Sequence, residues 1–181
     1  MPDITVFTVG HSTHPIEEFI ALLKAHGVKK LVDVRTIPKS RHNPQFMQEA
    51  LAASVRSEGI SYRRAESLGG LRHVRKDSVN GAWRNASFQG YADYMQTSEF
   101  SDAVDDLVQR STHNDVAIMC AEAVPWRCHR SMIGDALLVR GVLVLDIMTE
   151  KSAKPHTLTS FAAVDGTKIT YPPTPENPSS T

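Results

Sequence analysis

The sequence predicts a single α/β domain of three layers, with helices on both faces of a mainly parallel, Rossmann-like sheet. Three observations predict it. Residues 4–10 form a short β-branched run ending in Gly, and a helical stripe and a second apolar run at 30–35 follow, the order of a βαβ unit. The same order returns later, where residues 116–120, a helical stripe from Met132 to Val139 and residues 142–147 succeed one another. These later strands are apolar without alternation, as strands of a parallel sheet buried on two faces are. Residues 1–171 are expected to form the domain, with a small hairpin near 161–171, and the Pro-rich residues 172–181 a disordered tail.

In chain order, the first helix takes Ile16, Phe19, Ile20, Leu22 and Leu23 as its core stripe and stops at Gly27. A Ser, Thr or His of residues 11–14 is expected to cap it. Residues 36–45 carry Pro38 and Pro44 among Lys39, Arg41 and His42 and read as an exposed basic loop. A helix over about 46–58 ends at Gly59, and residues 60–63 make a short strand. Residues 67–88 hold Gly69, Gly70, Gly81, five basic residues and Trp83 with little periodicity, which reads as a long functional or mobile loop. Tyr91, Met95, Val104, Leu107 and Val108 recur at helical spacing, as one helix or a broken one, to about Arg110. Near the end, Asp165-Gly166 between Phe161, Val164, Ile169 and Tyr171 predicts a type I′ hairpin turn.

Lys+Arg and Asp+Glu number 20 each, so no long-range field draws the whole chain of 181 residues to nucleic acid or an anionic membrane. The longest apolar runs, 116–119 and 141–147, are too short to cross a bilayer, and the first residues lack a leader pattern. A cytoplasmic protein without membrane partners is expected. Its two cysteines, Cys120 and Cys128, are then expected as free thiols with catalytic, redox or metal roles, although a bridge stays open if their loop folds back.

In an open parallel sheet the carboxyl ends of the strands share one edge, and ligands bind beyond it. That rule gathers His11 and Ser12 from the first strand, Asp33 and Arg35 from the second, and Cys120 and Glu122 from the third long one. Cys128, His129 and Arg130 stand at a helix N-terminus, where backbone N–H groups favour an anion or a thiolate. Cys120, Glu122, Cys128 and His129 are the candidate catalytic residues. Candidate substrate contacts are His11, Ser12, Asp33, Arg35, Tyr62, Gly69, Gly70 and Arg130. No metal ligand set is assigned, and no cofactor is named by the sequence.

Each candidate has a plain structural role beside the functional one. Cys120 can be a small core residue, His129 a helix-start residue, Asp33–Arg35 a salt bridge, His11-Ser12 a cap, Gly69-Gly70 a flexible turn and Arg130–Glu122 an ion pair. Six residues separate Cys120 from Arg127, one more than a tyrosine-phosphatase loop, and Pro125 removes a donor, which counts against that chemistry. Zinc on Cys120, Cys128, His129 and His11 would need a tightly folded loop, and paired C-x-x-C spacing is absent. Glu122 as general acid or base stays open. Lys39, Arg41, His42, Arg63, Arg64, Arg72, His73, Arg75 and Lys76, with Tyr62 and Trp83, could hold a phosphate backbone and stack a base, or be solvated loop charge.

Thr8-Val-Gly-His-Ser12, Asp33-Val-Arg35, Leu68-Gly-Gly70, Cys120-Ala-Glu122 and Cys128-His-Arg130, in that order, resemble the bacterial and archaeal family called domain of unknown function 488. The similarity covers about residues 4–172, with His156, Phe161 and Tyr171-Pro172 at its end. It implies that these positions line one site, and the names of some members, which relate them to N-glycosylases, hint at a hydrolase. Three functions follow as expectations. The first is an enzyme acting on a nucleotide, nucleoside or nucleic-acid base, with Glu122 or Cys120 in the chemical step and Arg35 and Arg130 holding an anionic group. The second is a thiol- or metal-dependent redox or sensor protein built on Cys120, Cys128 and His129. A non-catalytic module binding nucleic acid or protein through residues 38–44 and 69–84 is the third.

Overall fold

The structure is a computed structural model that describes residues 3–173, so most of the expected tail lies outside the described residues. The elements run β1 (Thr5–Gly10), α1 (Ile16–Ala25), β2 (Lys30–Asp33), α2 (Gln48–Ser57), β3 (Ser61–Arg64), α3 (Ala86–Tyr94) and α4 (Ser98–Arg110). They continue with β4 (Val116–Cys120), α5 (Arg130–Leu138), β5 (Leu143–Thr149), β6 (Ser152–Pro155), β7 (Ala163–Asp165) and β8 (Lys168–Thr170). Six strands make one sheet in the order β3-β2-β4-β1-β5-β6, and β7 and β8 pair separately. The first five are parallel, and only β6 runs against its neighbour. The sheet with helices on both faces is the three-layer α/β architecture that the sequence predicts.

β1 and β2 are not neighbours, because β4 pairs with both of them. All five β4 residues are buried, so this strand can be satisfied only at the centre, where both of its faces are covered. Side chains of alternating parity feed two cores. Phe7, Val9, Leu31, Ala117 and Met119 pack with Phe19 and Leu23 of α1 and Leu51 and Val55 of α2. On the other face Val6, Val32, Ile118, Cys120 and Val144 pack with Tyr91 of α3, Phe100 and Val104 of α4 and Met132 of α5.

The chain leaves β1 toward β2 on one side and leaves β4 through α5 toward β5 on the other. The carboxyl ends of β1 and β4 therefore flank the point where the winding reverses, which is where open sheets of this kind bind ligands.

Local chemistry moves several boundaries. Met47 is extended (φ −58, ψ 140), so a short 3-10 turn at Pro44–Phe46 precedes α2 and the helix starts at Gln48. Pro15, not Ser12 or His11, occupies the N-cap of α1, and Ser12 takes a positive φ of 47. The helical stretch after Tyr91 is two helices, the second capped by Thr97, whose hydroxyl accepts from the Phe100 N–H. Buried Asp93 pins the long loop before α3 by accepting from the Arg75 N–H (2.8 Å), Ser78 (2.6 Å) and Asn80 (2.7 Å). Among the described residues, no helix is long and apolar enough to cross a membrane.

Candidate active site

At the sheet edge the backbones of β1 and β4 stay paired past their ends. The His11 N–H donates to the Cys120 carbonyl and the Ser12 N–H to the Ala121 carbonyl, both at 2.9 Å. The expected convergence holds for these backbones, but the side chains divide between the two faces of the sheet. His11, Asp33, Arg35 and Tyr62 lie on the α1/α2 face, and Cys120, Cys128, His129 and Arg130 on the α5 face.

On the α1/α2 face, Arg35 makes a bidentate ion pair with Asp33, Nε to Oδ1 at 3.0 Å and a terminal nitrogen to Oδ2 at 2.8 Å. The guanidinium also donates to the Phe46 carbonyl at 2.7 Å and approaches His11 Nε2 at 3.4 Å. The Tyr62 hydroxyl donates to Asp33 Oδ2, and burial together with that carboxylate pushes its pKa well up. His11 stacks on Phe46 with ring centroids 4.2 Å apart, and burial lowers its pKa to about 4. Its ring is neutral, with Nδ1–H donating to the Ser12 carbonyl at 2.8 Å and Nε2 accepting from Arg35. Arg35 is 4% exposed and committed to Asp33, so it organises the loop after β2 and does not reach out to an anion.

On the α5 face, both cysteines are buried free thiols. A hydrogen bond from Cys128 holds the Cys120 thiol below the usual range, against burial and with help from the Arg130 charge. The same bond and burial push Cys128 up. Cys128 Sγ also receives the Arg130 backbone N–H at the start of α5, at 3.4 Å, and lies 3.6 Å from His129 Nδ1. His129 Nε2–H donates to the Val34 carbonyl at 2.8 Å, and burial holds this ring neutral, its pKa at about 4, despite the carbonyls of Val34 and Leu68. Gly70 permits that placement: a Cβ there would lie 2.7 Å from Thr36 Oγ1 and 3.3 Å from His129 Nδ1. Gly69 is similarly packed, its missing Cβ facing the Glu66 carbonyl at 3.2 Å.

Arg130 is 1% exposed, donates to Thr8 Oγ1 at 3.2 Å and to the Glu122 carbonyl at 3.3 Å, and leaves Nε without a partner among the described residues. The ion pair considered between Arg130 and Glu122 is replaced by this backbone contact, and the Glu122 carboxylate belongs to an exposed residue.

The sequence reading took in Thr8 and His156 only through the family resemblance and missed Asp135 and Asp146, which continue the network from Arg130. The Thr8 hydroxyl in turn donates a hydrogen bond to Asp146 Oδ1, and Asp146 Oδ2 lies 3.4 Å from His156 Nδ1. The other ring nitrogen of His156 lies 3.0 Å from Asp135, which also accepts from Thr159 and, at 2.8 Å, from the Tyr171 hydroxyl. Burial by itself would lower the His156 pKa, but the two carboxylates overcome it and raise it to about 9. Gly134 makes room, because a Cβ there would come within 2.9 Å of the His156 ring. The available signals were polar residues inside apolar elements: Thr8 in β1, Asp146 in β5 and Asp135 in α5.

Asp146 and His156 line a cleft of about 470 Å³, walled by Trp83, Trp126 and Phe161 and bordered by Lys154. Trp126 is 66% exposed, and the buried indole N–H of Trp83 has no acceptor among the described residues. The four residues considered for zinc are not gathered: His11 stacks on Phe46 on the opposite face of the sheet from Cys120 and Cys128, and among the described residues no three of His, Cys, Asp and Glu are grouped to hold a metal ion. Four of the basic loop residues have partners of their own, and the aromatics pack elsewhere. Arg63 pairs with Asp106, Arg64 with Glu66, Arg75 with Asp77, and Arg72 lies 3.6 Å over the Tyr94 ring, while Trp83 packs edge-on against Phe88, Phe161 and Tyr171.

Fold and site define a doubly wound α/β protein with a thiol pair and a buried charge relay at its winding reversal. Residues 15–137 match the sequence pattern of a family described as domain of unknown function DUF488, and the chain belongs to that family. The match takes in Asp33, Arg35, the two glycines, both cysteines and Arg130, and stops short of Thr8, Asp146 and His156. No curated protein and no solved structure matches the chain.

Proposed function

We propose that this protein is a hydrolase of a small nucleoside or nucleotide, cleaving the bond between base and sugar, and that Asp146 is its catalytic carboxylate. The observation that carries this reading is the cleft in which an oriented carboxylate meets aromatic walls. Thr8 and the His156 imidazolium each hold one oxygen of Asp146, so the group is fixed in position. A carboxylate of that kind stabilises the positive charge that develops on a sugar ring as the base departs, and it can activate the attacking water. Trp83, Trp126 and Phe161 supply faces for a planar base. Lys154, paired across the strands with Asp146 and so on the same face, is placed to receive a phosphate. In this reading Asp146 replaces Glu122 and Cys120 in the chemical step, and Lys154 replaces Arg35 and Arg130 at the anion.

The test is a panel of purine and pyrimidine nucleosides and their 5′-monophosphates, followed by thermal shift and by chromatography of released base. At least one member should raise the melting temperature and release its base. Asp146→Asn should keep the shift and lower turnover by about a hundredfold or more, and Trp126→Ala should weaken binding. A panel that yields neither shift nor free base removes the proposal.

A further inference from the structure

Both tryptophans of the chain, Trp83 and Trp126, line the cleft, and Trp126 is 66% exposed. Phe161 and Pro155 extend the apolar lining, and exposed Lys154 at its border has no ion-pair partner among the described residues. Aromatic side chains beside a free cation form the kind of groove that takes a proline-rich segment carrying a carboxylate. The second observation is where the chain leaves the fold. Tyr171 is fully buried against two walls of the cleft, its ring centroid 5.3 Å from that of Trp83 and 5.9 Å from that of Phe161. Its backbone is clamped there, the N–H donating to Asn80 Oδ1 at 2.8 Å and the carbonyl accepting from the Ala82 N–H at 3.0 Å. The chain is thus delivered beside the cleft, and the sequence that follows is Pro172-Pro-Thr-Pro-Glu-Asn-Pro178. Three residues make one turn of polyproline II, so this spacing sets Pro172, Pro175 and Pro178 along one edge with Glu176 next to it. At about 3.1 Å per residue, roughly 15 Å of chain separates Glu176 from Tyr171. That length is enough to cross a cleft of about 470 Å³.

We infer that the aromatic cleft is a docking site for a proline-rich segment and that residues 174–178 of this chain are its occupant, with Pro175 and Pro178 against the indoles and Glu176 on Lys154. A short tether gives the segment an effective concentration on the order of a millimolar, so a contact with a Kd of about 0.1 mM keeps the cleft about nine-tenths filled. Asp146 lines the same cleft, so the docked segment competes with a small ligand for the space beside it. As a brake on turnover this docking rests on the reading of the cleft as an active site; as an occupancy it does not.

The experiment compares the wild-type full chain with a full-length variant carrying Pro175→Gly, Glu176→Lys and Pro178→Gly. Because both tryptophans line the cleft, their emission and its quenching by acrylamide, an uncharged quencher, report on the cleft alone. The wild-type chain should emit to the blue of the variant, and the variant should be quenched about twofold more strongly, because a docked segment excludes water from the indoles. An excess of a synthetic peptide of residues 172–178 should return the variant to the wild-type spectrum. Lys154→Glu should expose the tryptophans to the same degree, and Glu176→Lys added to it should restore the shielding. Identical emission and quenching in wild type and variant overturns the inference. A difference that disappears on dilution places the segment on a second copy and overturns the choice of occupant. Release of base from the nucleoside panel is followed in parallel, and faster turnover in the variant supports the brake. A quenching difference without turnover in either protein leaves the docking standing and removes the active-site reading. Turnover with identical quenching does the reverse.

Discussion

The closest approach at the site is made possible by the absence of one methyl group. A Cβ on Gly10 would lie 1.6 Å from the Glu122 carbonyl oxygen and 2.6 Å from its carbon, so no side chain fits without moving the backbone after β4. Among the described residues that carbonyl is one of two acceptors that the Arg130 guanidinium finds, and the other is Thr8. Gly10→Ala should therefore destabilise the fold by about 3 kcal/mol, at the upper end of overpacking costs. Urea titration measures it as a lower midpoint with an unchanged slope. In the same variant the Glu122 carbonyl withdraws from Arg130, and Cys120 should alkylate with altered kinetics. Wild-type kinetics at Cys120 together with the loss of stability would mean that the carbonyl is not what positions Arg130.

Among the elements, α3 connects the long loop to the thiol face. Its Tyr91 packs on the His129 ring with centroids 4.8 Å apart and donates to the Leu68 carbonyl at 2.9 Å. The helix is started by Asn85, whose side-chain oxygen accepts from the N–H groups of Ser87 and Phe88. Asn85 is exposed, so Asn85→Ala should remove the cap and nothing else, at a cost of about 1 kcal/mol, read by chemical denaturation. Elements of this size were legible in the sequence wherever apolar content decided them: 116–120 is a strand buried on both faces, and 142–147 is a strand whose Val142, Val144, Asp146 and Ile147 are buried while Leu143 is exposed. The insertion of β4 between β1 and β2 was not legible, because it depends on which strand most needs the centre. Nor was β6, a short edge strand, half-buried at best, that ends in Pro155, where neither period nor apolar content marks it. The sheet-edge rule collected His11, Arg35 and Cys120 correctly by level, and the parity of each strand then separated them. His11 shares the parity of Val9, and Cys120 that of Ile118, which puts them on opposite faces. Asp135 and Asp146 were passed over because their elements read as apolar, although a charge inside such an element was itself the clue, and Thr8 entered only through the family resemblance.

At the scale of the molecule, equal numbers of acidic and basic residues leave pH to act through a few buried groups, and three histidines dominate near neutrality. His11 and His129 have folded pKa values of about 4 against an ordinary 6.5. Between those values the unfolded chain binds protons that the folded chain does not, so stability falls as pH drops from 6.5 toward 4. His156 is the opposite case, with a folded pKa of about 9. Its contribution is complete below 6.5 and is lost as pH rises through about 9, when the folded chain gives up the proton that sits between Asp135 and Asp146. Stability should therefore peak near pH 6.5 and decline on both sides, by up to about 1.4 kcal/mol per pH unit for each histidine that titrates. Cys120, held low by Cys128 and Arg130, works against the alkaline decline, so comparison with a variant is needed to isolate the imidazole. His156→Gln supplies it: whatever its absolute stability, the slope of unfolding free energy between pH 6.5 and 9 should lose the histidine's share and turn flat or positive, while the acid arm stays as in wild type. An alkaline arm of equal slope in both proteins would show that His156 does not carry its proton between the two carboxylates. The relay from Arg130 to Asp135 would then have to be redrawn with a neutral ring, and Asp146 would lose the cationic partner that fixes its second oxygen beside the cleft.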